Sequence, residues 1–427
     1  MRLDPVALFH DAARNVPAYR HFLAERGVDT ASIRTLLDYA ALPVVTKENY
    51  VRAYPLPERC RGGSLDGCDT VALSSGSSGQ PTVWPRRLVD ELAATERFAE
   101  IFRTFGADEH RTLAVICFPL GNWVGGMFTA AACRHLATQG FRLTVATPGN
   151  VVDEILRVVD ALGPLYEQVV LLGYPPFVKN VVDRGSGWPD RRLKLVFAGE
   201  VFSERWRDLV AGRAGIADPV THTAALYGTA DAGVLGIETP SSVRLRRELS
   251  STTFAGGRLP TLVEYDPGHR YFETDGDALL FTADGAVPLI RYDIGDEGGI
   301  LPGNLVYVFG RRLFAVSLYG ANVYPENVAE ALEADDVVGW TTGRFVLRTP
   351  ESDDGDRYLD VTVELAPGHG GEGRENRVAE AIRAYLPGVN SEFAHYVPAA
   401  RQLPTVRFRP IGDPDNFPLG VKHRYSR

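Results

Sequence analysis

The sequence predicts an α/β protein. A large N-terminal domain has mostly parallel sheets flanked by helices, followed by a β-barrel-like portion, and a small α+β unit closes the chain. Three observations carry this. Between residues 113 and 211, continuous apolar runs of strand length alternate with helical segments. Unbroken apolar runs belong to strands covered on both faces, as in parallel sheets. Beyond about residue 233 the helical segments stop, and short strands separated by Gly and Asp-Gly turns take over.

The N-terminal 40 residues have helical periodicity. Val6, Leu8, Phe9, Ala12, Ala13 and Val16 share one apolar face, which Pro17 ends. Leu42 to Glu48 reads as extended, and Thr46 with Asn49 is placed to cap a following turn. A short apolar run, Val71-Ala72-Leu73, leads into a Ser/Gly stretch, and 86–105 reads as an amphipathic helix. Strands are then expected at 113–118, 143–146, 169–172 and 193–197, with helices at 125–138, 151–162, 176–182 and 203–211. Short strands follow at 262–265, 278–281, 289–292 and 305–309. The terminal α+β unit begins near 311, with helices at 325–332 and 374–386 and a strand at 358–365. The acidic and Gly-rich stretches 351–357 and 367–373 read as exposed loops.

The 427 residues suffice for roughly two to three domains and a large core. Hydrophobic residues make up 45% and charged residues 23%, the profile of an ordinary soluble globular protein. A net charge of −9 argues against a nucleic-acid partner. No run reaches the ~18 apolar residues of a membrane span, and the N-terminus lacks a secretory apolar region. Cys60, Cys68, Cys117 and Cys133 have no metal-ligand spacing and read as free thiols, so a cytoplasmic protein is expected. Of the 45 basic residues only four are lysine: Lys47, Lys179, Lys194 and Lys422. Arginine does not replace a compact ammonium, so each lysine invites attention.

Several stretches have chemical potential, each beside a plainer reading. Ser74-Ser75-Gly76-Ser77-Ser78-Gly79-Gln80-Pro81-Thr82 offers hydroxyl donors, glycines for close backbone approach and successive N–H groups for an anion. It lacks the Gly-Lys-Ser/Thr of the nucleoside-triphosphatase loop, and it also fits a flexible linker. In Tyr227-Gly228-Thr229-Ala230-Asp231, a carboxylate two residues beyond a hydroxyl can place a magnesium ligand beside a phosphate, or simply be a solvated turn. Asp296, after Arg291-Tyr292-Asp293-Ile294-Gly295, suits the two hydroxyls of a ribose, or a hairpin turn. Gly199-Glu200 follows a strand, where open α/β sheets bind ligands; capping by Glu200 or Ser203 is the alternative. Phe118 to Gly126, with Trp123 and Gly125, can line a flat apolar pocket or belong to the core. Lys422, near the chain end, is either a solvated tail residue or a cation that reaches a phosphate and a carboxylate.

In this order the pieces resemble the acyl-adenylate-forming ligase superfamily, and within it phenylacetate–coenzyme A ligase. Asn15 to Arg20 and Leu42 to Glu48 look like that ligase's N-terminus. Ser74 to Thr82 is similar to its phosphate loop, Ala198-Gly199-Glu200 to its adenine-contacting segment, and Tyr227 to Asp231 to its Tyr-Gly-x-x-Glu motif. Asp296 matches the ribose-binding aspartate. Gly310-Arg311 matches the pair that opens a mobile C-terminal domain, followed by Tyr319 to Glu326. The resemblance implies an adenylating domain over 1–309 and a small mobile domain over 310–427.

It further implies ATP, Mg2+ and coenzyme A as reactants or cofactors, with a small carboxylic acid as substrate. Ser74 to Gly79, Gly199, Glu200, Tyr227, Gly228, Thr229, Asp296 and Arg311 would bind ATP or AMP, Asp231 the metal, and Thr229 and Lys422 would be catalytic. Phe118, Trp123, Gly125, Gly126 and Tyr174 would line the acid's pocket and favour an aromatic one. A separate carrier protein or an amine as acceptor, a non-catalytic nucleotide-binding scaffold, and a homodimer stay open. Four positions depart from the pattern. Gln80 replaces the loop lysine, Asp231 a glutamate and Leu313 the hinge aspartate, and Lys422 is offset by one residue in Gly420-Val421-Lys422.

Overall fold

The computed structural model describes residues 2–74, 82–249, 260–311, 315–332, 337, 340–366, 368–417 and 425–426. The chain divides into two compact units: one covers most of the chain up to residue 312, and the second holds Tyr174–Val181 with Leu313–Arg427.

In the first unit, two helices open the chain, Pro5–Asn15 and Pro17–Glu25. Asp4 caps the first by accepting from Val6 and Ala7 N–H. Pro17 ends that helix, as expected, and also starts the next, because its missing N–H costs nothing in a first turn. Phe9, Tyr19 and Phe22 are buried in one apolar cluster with Trp84, Tyr292 and Val308. Each such side chain contributes about 1.5–3 kcal/mol of burial. Strand β1, Val45–Thr46, is short, and the chain then turns helically over Lys47–Val51. Thr46 and Asn49 cap that turn reciprocally, at 3.0 and 2.8 Å, as their spacing suggested. Strands β2 (Thr70–Ser74) and β3 (Thr82–Arg86) pair with each other and flank the Ser/Gly stretch, of which 75–81 lie outside the described residues.

The alternating region folds as its pattern indicates. Strands β4 (Thr112–Ile116), β5 (Leu143–Ala146), β6 (Gln168–Gly173), β7 (Lys194–Ala198) and β8 (Thr223–Thr229) are parallel, in the order β5-β4-β6-β7-β8. Helices Val124–Thr138, Val152–Leu162, Pro175–Arg184 and Glu204–Arg213 connect them. The order reverses at β4, so the chain leaves β4 and β6 toward opposite sides, the arrangement that opens a crevice at the strands' carboxyl ends.

The strands expected in a barrel-like portion extend the same sheet. They are β9 (Gly233–Ile237), β10 (Thr261–Glu264), β11 (Arg270–Asp275), β12 (Ala278–Ala283), β13 (Leu289–Leu301) and β14 (Leu305–Arg311). Their order, continuing from β8, is β9-β10-β14-β13-β12-β11, all antiparallel, and β1 adds in parallel beside β13. One expectation is corrected: helices do not stop at 233, because Pro240–Glu248 is helical. Its buried face consists of Ser242, Val243 and Arg246, so apolar periodicity hid it. A Thr239–Ser242 capping box with proline in the first turn marks its start.

The second unit is α+β, as expected. A hairpin of β15 (Val316–Leu318) and β16 (Ala321–Val323) precedes the helix Pro325–Leu332. Strands β17 (Thr341–Arg348), β18 (Asp360–Leu365) and β19 (Thr405–Arg409) form a sheet in that order. The helix Glu375–Val389 crosses between β18 and β19, which run parallel. Lys179 is fully buried in this unit, 2.7 Å from Asp356, which also accepts from Arg401.

Candidate active site

Three of the expected segments share one edge of the sheet. In register, Ile116 lies opposite Leu172, Gly173 opposite Phe197, and Ala198 opposite Leu226. Phe118–Gly126 therefore follows β4, Gly199-Glu200 follows β7, and Thr229–Asp231 ends β8, all at carboxyl ends of neighbouring parallel strands. Tyr174 comes directly after β6 but belongs to the second unit, where its ring packs 5.3 Å from that of Tyr396.

The Tyr227–Asp231 motif is tied to Asp296. Tyr227 Oη donates to Asp296 Oδ2 at 2.7 Å, across 69 residues. Asp296 is 4% exposed. A buried carboxylate needs such donors, since an unpaired charge out of water is costly. Arg311 lies opposite Asp296 in the β13–β14 register, which brings two more of the expected positions together along the backbone. Gly228 permits the close strand crossing, because a Cβ there would sit 2.8 Å from the Gly233 carbonyl oxygen. Thr229 Oγ1 accepts from Ala232 N–H at 3.1 Å and so closes the turn after the motif.

Asp231 is held by a residue the sequence did not single out. Tyr292 Oη donates to its Oδ2 at 2.5 Å. Tyr292 follows Arg291, whose backbone takes φ +47°, a sparsely populated region for a side chain of this size. The Arg291 guanidinium is anchored by Glu273 and by the Leu42 carbonyl. That anchored kink, beside an irregular β12–β13 register, aims Tyr292 at the motif. Nothing in local sequence pattern marks such a bend.

Ser74, at the start of the Ser/Gly stretch, is buried and accepts from Trp84 Nε1 at 3.1 Å and from Lys47 Nζ at 3.3 Å. The Trp84 ring lies edge-on to Tyr292, with centroids 6.5 Å apart. Leu73 N–H donates to the Asn122 carbonyl, and Leu73 bridges Trp123, so the Phe118–Gly126 loop joins the strand that carries Ser74. Phe118 itself is buried. Gly126 has a packing reason, because a Cβ there would fall 2.1 Å from the Pro119 carbonyl oxygen. Ser75, Gly76, Ser77, Ser78, Gly79, Gln80, Leu313 and Lys422 lie outside the described residues.

A recess beside the motif is lined by Trp84, Arg86, Glu91, Asp231, Arg270 and Asp284. Arg86 donates to the Ala230 carbonyl and so clamps the backbone between Thr229 and Asp231. Burial lowers the Arg86 pKa against the pull of Glu91 and Asp231. Burial, with Arg86 beside it, pushes Arg270 down to about 10. Burial raises Glu91 despite Arg86. The arginines thus serve the turn and its acids.

Gly199-Glu200 leads into a buried ionic network. Ser203 caps the helix Glu204–Arg213. Arg246, 2% exposed, donates to the Phe202 and Pro260 carbonyls and pairs with Glu204. Arg207 and Glu238, both fully buried side chains, form a two-pronged pair at 2.7 and 2.8 Å. Burial would raise Glu204, yet Arg207 and Arg246 hold it below the usual carboxylate range.

Among the described residues the four cysteines are free thiols, and no helix is long and apolar enough to cross a membrane. No family model matches the chain. It is 25% identical to phenylacetate–coenzyme A ligase of Thermus thermophilus, over 75% of this chain and 71% of the relative. It is 22% identical to the ligase of that name from Pseudomonas putida, over 74% and 71%. Its fold is similar to 2-hydroxyisobutyryl-CoA ligase in complex with 2-HIB-AMP and CoA, with a TM-score of 0.60 and 17% identity, over 99% of this chain and 88% of that one. It is also similar to the amide bond synthetase McbA from Marinactinospora thermotolerans, with a TM-score of 0.55 and 16% identity, over 95% and 79%. Taken with the ordered motifs and the sheet that carries them, these likenesses support the resemblance of the chain to the acyl-adenylate-forming, or AMP-forming, ligase superfamily.

Proposed function

We propose that this protein activates a carboxylic acid, preferably an aromatic one, with ATP and transfers the acyl group to coenzyme A. A carboxylate oxygen attacks the α-phosphorus, the bond to pyrophosphate breaks, and an acyl-adenylate forms. The coenzyme A sulfur then attacks the acyl carbon, AMP leaves, and a thioester remains. The observation that carries the reading is the Tyr227–Asp296 hydrogen bond, which ties a phosphate motif to a ribose acid on a neighbouring part of one sheet.

In this reading Asp296 accepts from the ribose hydroxyls and Gly199-Glu200 flanks the adenine. Ser74 to Gly79 face the phosphates, Thr229 meets the α-phosphate, and Lys422 meets the forming bond. Such chemistry asks the protein mainly for positioning and charge neutralisation. A hard dication takes oxygen ligands, and Asp231 fits, because Tyr292 fixes its Oδ2 and orients the carboxylate. Mg2+ held there would offset phosphate charge. Phe118 and Trp123 would border the acid. Residues 1–309 would adenylate, and 310–427 would rotate between half-reactions about Arg311–Phe314.

The likeness to an amide bond synthetase favours a second acceptor, an amine. Purified protein given a panel of acids with ATP and labelled pyrophosphate tests the first step. Adding coenzyme A or an amine with the active acid tests the second. Exchange with at least one aromatic acid and thioester formation are expected. Amide instead of thioester would shift the acceptor, and bound ATP without exchange on any acid would overturn catalysis.

A further inference from the structure

Two of the four cysteines meet. Cys60 is 2% exposed and Cys68 half-buried, and both pack in the apolar cluster that holds Trp84 and Tyr292. Each sulfur is the other's hydrogen-bond partner. The Cys60 thiol has a second acceptor in reach, the Leu56 carbonyl oxygen, at 3.6 Å. Cys117, just after β4, and Cys133, in the helix Val124–Thr138, are wholly buried.

The backbone fixes this meeting. Cys60 N–H donates to the Pro57 carbonyl at 3.0 Å, and Gly63 N–H to the Cys60 carbonyl at 3.1 Å. Cys68 N–H donates to the Leu65 carbonyl at 3.0 Å, and Asp69 N–H to the Arg86 carbonyl at 2.8 Å, which delivers the chain into β2. Between the cysteines, Arg61 binds Asp11, Asp284 and the Gly285 carbonyl at 2.8, 2.8 and 3.0 Å. Gly62 and Gly67 take φ +71° and +81°, which lets the loop return on itself. A loop whose ends are already held together has met the entropy of ring closure before any bond forms. Leu65, Asp66 and Gly67 are exposed, so solvent reaches the Cys68 side of the pair.

The surroundings order the two thiols. Arg59 is 5% exposed and lies beside Cys60, and its Nε and Nη1 have no hydrogen-bond partner among the described residues. Such a cation favours an ionised sulfur. Burial, with the Cys68 sulfur adding, still pushes Cys60 up to about 11 against Arg59. Burial raises Cys68 too, and there the hydrogen bond with Cys60 opposes the rise. Cys68, the more exposed thiol, therefore reacts first, and Cys60 follows.

We propose that Cys60 and Cys68 are a redox-sensitive pair that a low-molecular-weight disulfide, such as oxidised glutathione, closes reversibly. The Cys68 thiolate attacks one sulfur of that disulfide, its S–S bond breaks, and one small thiolate leaves. The Cys60 sulfur then attacks the Cys68 sulfur, and the second small thiolate leaves with the Cys60 proton. Two protein thiols are oxidised, and one small disulfide is reduced to two thiols. The closed pair staples the approach to β2, the strand that ends in Ser74, onto the apolar cluster.

The test treats the folded full chain with oxidised glutathione, then counts thiols and maps the peptides by mass. The thiol count is expected to fall from four to two, with a Cys60–Cys68 cross-link, a mass lower by two hydrogens and a higher urea midpoint. Dithiothreitol should reverse all of these. Cys60→Ala should keep one glutathione on Cys68, and Cys68→Ser should keep its three thiols. Four thiols after treatment, a lasting adduct on wild-type Cys68, or a cross-link to Cys117 or Cys133 would each overturn the pair. A closed pair with an unchanged urea midpoint would overturn the staple, and Cys60→Ala without an adduct would overturn the order of attack.

Discussion

Replacing Tyr227 by Phe removes one hydroxyl and leaves the ring. The lost bond runs 2.7 Å to a carboxylate that is 4% exposed. A hydrogen bond to a charged, buried group is worth about 1.5–3 kcal/mol, so folding stability should fall by about 2 kcal/mol. Nucleotide binding should respond separately. In the proposed role Asp296 must face the ribose, and Tyr227 holds it so before ligand arrives. Immobilising a side chain on binding costs roughly 0.5–1.5 kcal/mol. About 1 kcal/mol corresponds to an approximately fivefold rise in Kd for AMP. Chemical denaturation reads the first quantity and calorimetric titration with AMP the second. Lower stability with unchanged AMP affinity would refute the orienting role and reduce the bond to packing. A loss beyond about a hundredfold would mean that Tyr227 itself grips the nucleotide.

Other expectations concern the frame of the site. Arg246→Met should destabilise by about 3–5 kcal/mol, because Glu204 would lose a buried partner and the Phe202 carbonyl a donor; a urea midpoint near wild type would contradict the network's importance. Lys194 is pushed down to about 8 by burial, with Arg192 adding and Asp218 opposing. Its unfolded value is about 10.4, so between about pH 8 and 10.4 the unfolded chain binds more protons, and stability from this group rises with pH. Lys194→Met should flatten that rise in denaturation curves at pH 7.5 and 9.5; an unchanged slope would assign it to other groups.

Much of the site was legible because parallel sheets write themselves plainly. The runs at 113–118 and 169–172 are apolar throughout, 193–197 is broken only by Lys194, and the residues directly after 113–118 and 193–197 land on one sheet edge. Asp231 was visible as an acid after a strand, whereas Asp296, expected past a strand ending at 292 or in a hairpin turn, lies inside β13, opposite Arg311. Their partners were not visible. Tyr292 reaches Asp231 only through the bend at Arg291, and Lys47 reaches Ser74 only through the pairing of β1 with β13. Both depend on register between segments about 250 residues apart, which no local pattern encodes. The helix Pro240–Glu248 escaped for a different reason. Its buried side includes Arg246, whose charge is met by Glu204, so its apolar signal is weak.

A crystal structure of the protein with bound AMP tests the convergence most directly. The expected result is both ribose hydroxyls within about 3 Å of the Asp296 carboxylate and the α-phosphate beside Thr229 and Asp231. AMP bound elsewhere, with Asp296 still held by Tyr227 and facing no ligand, would contradict it.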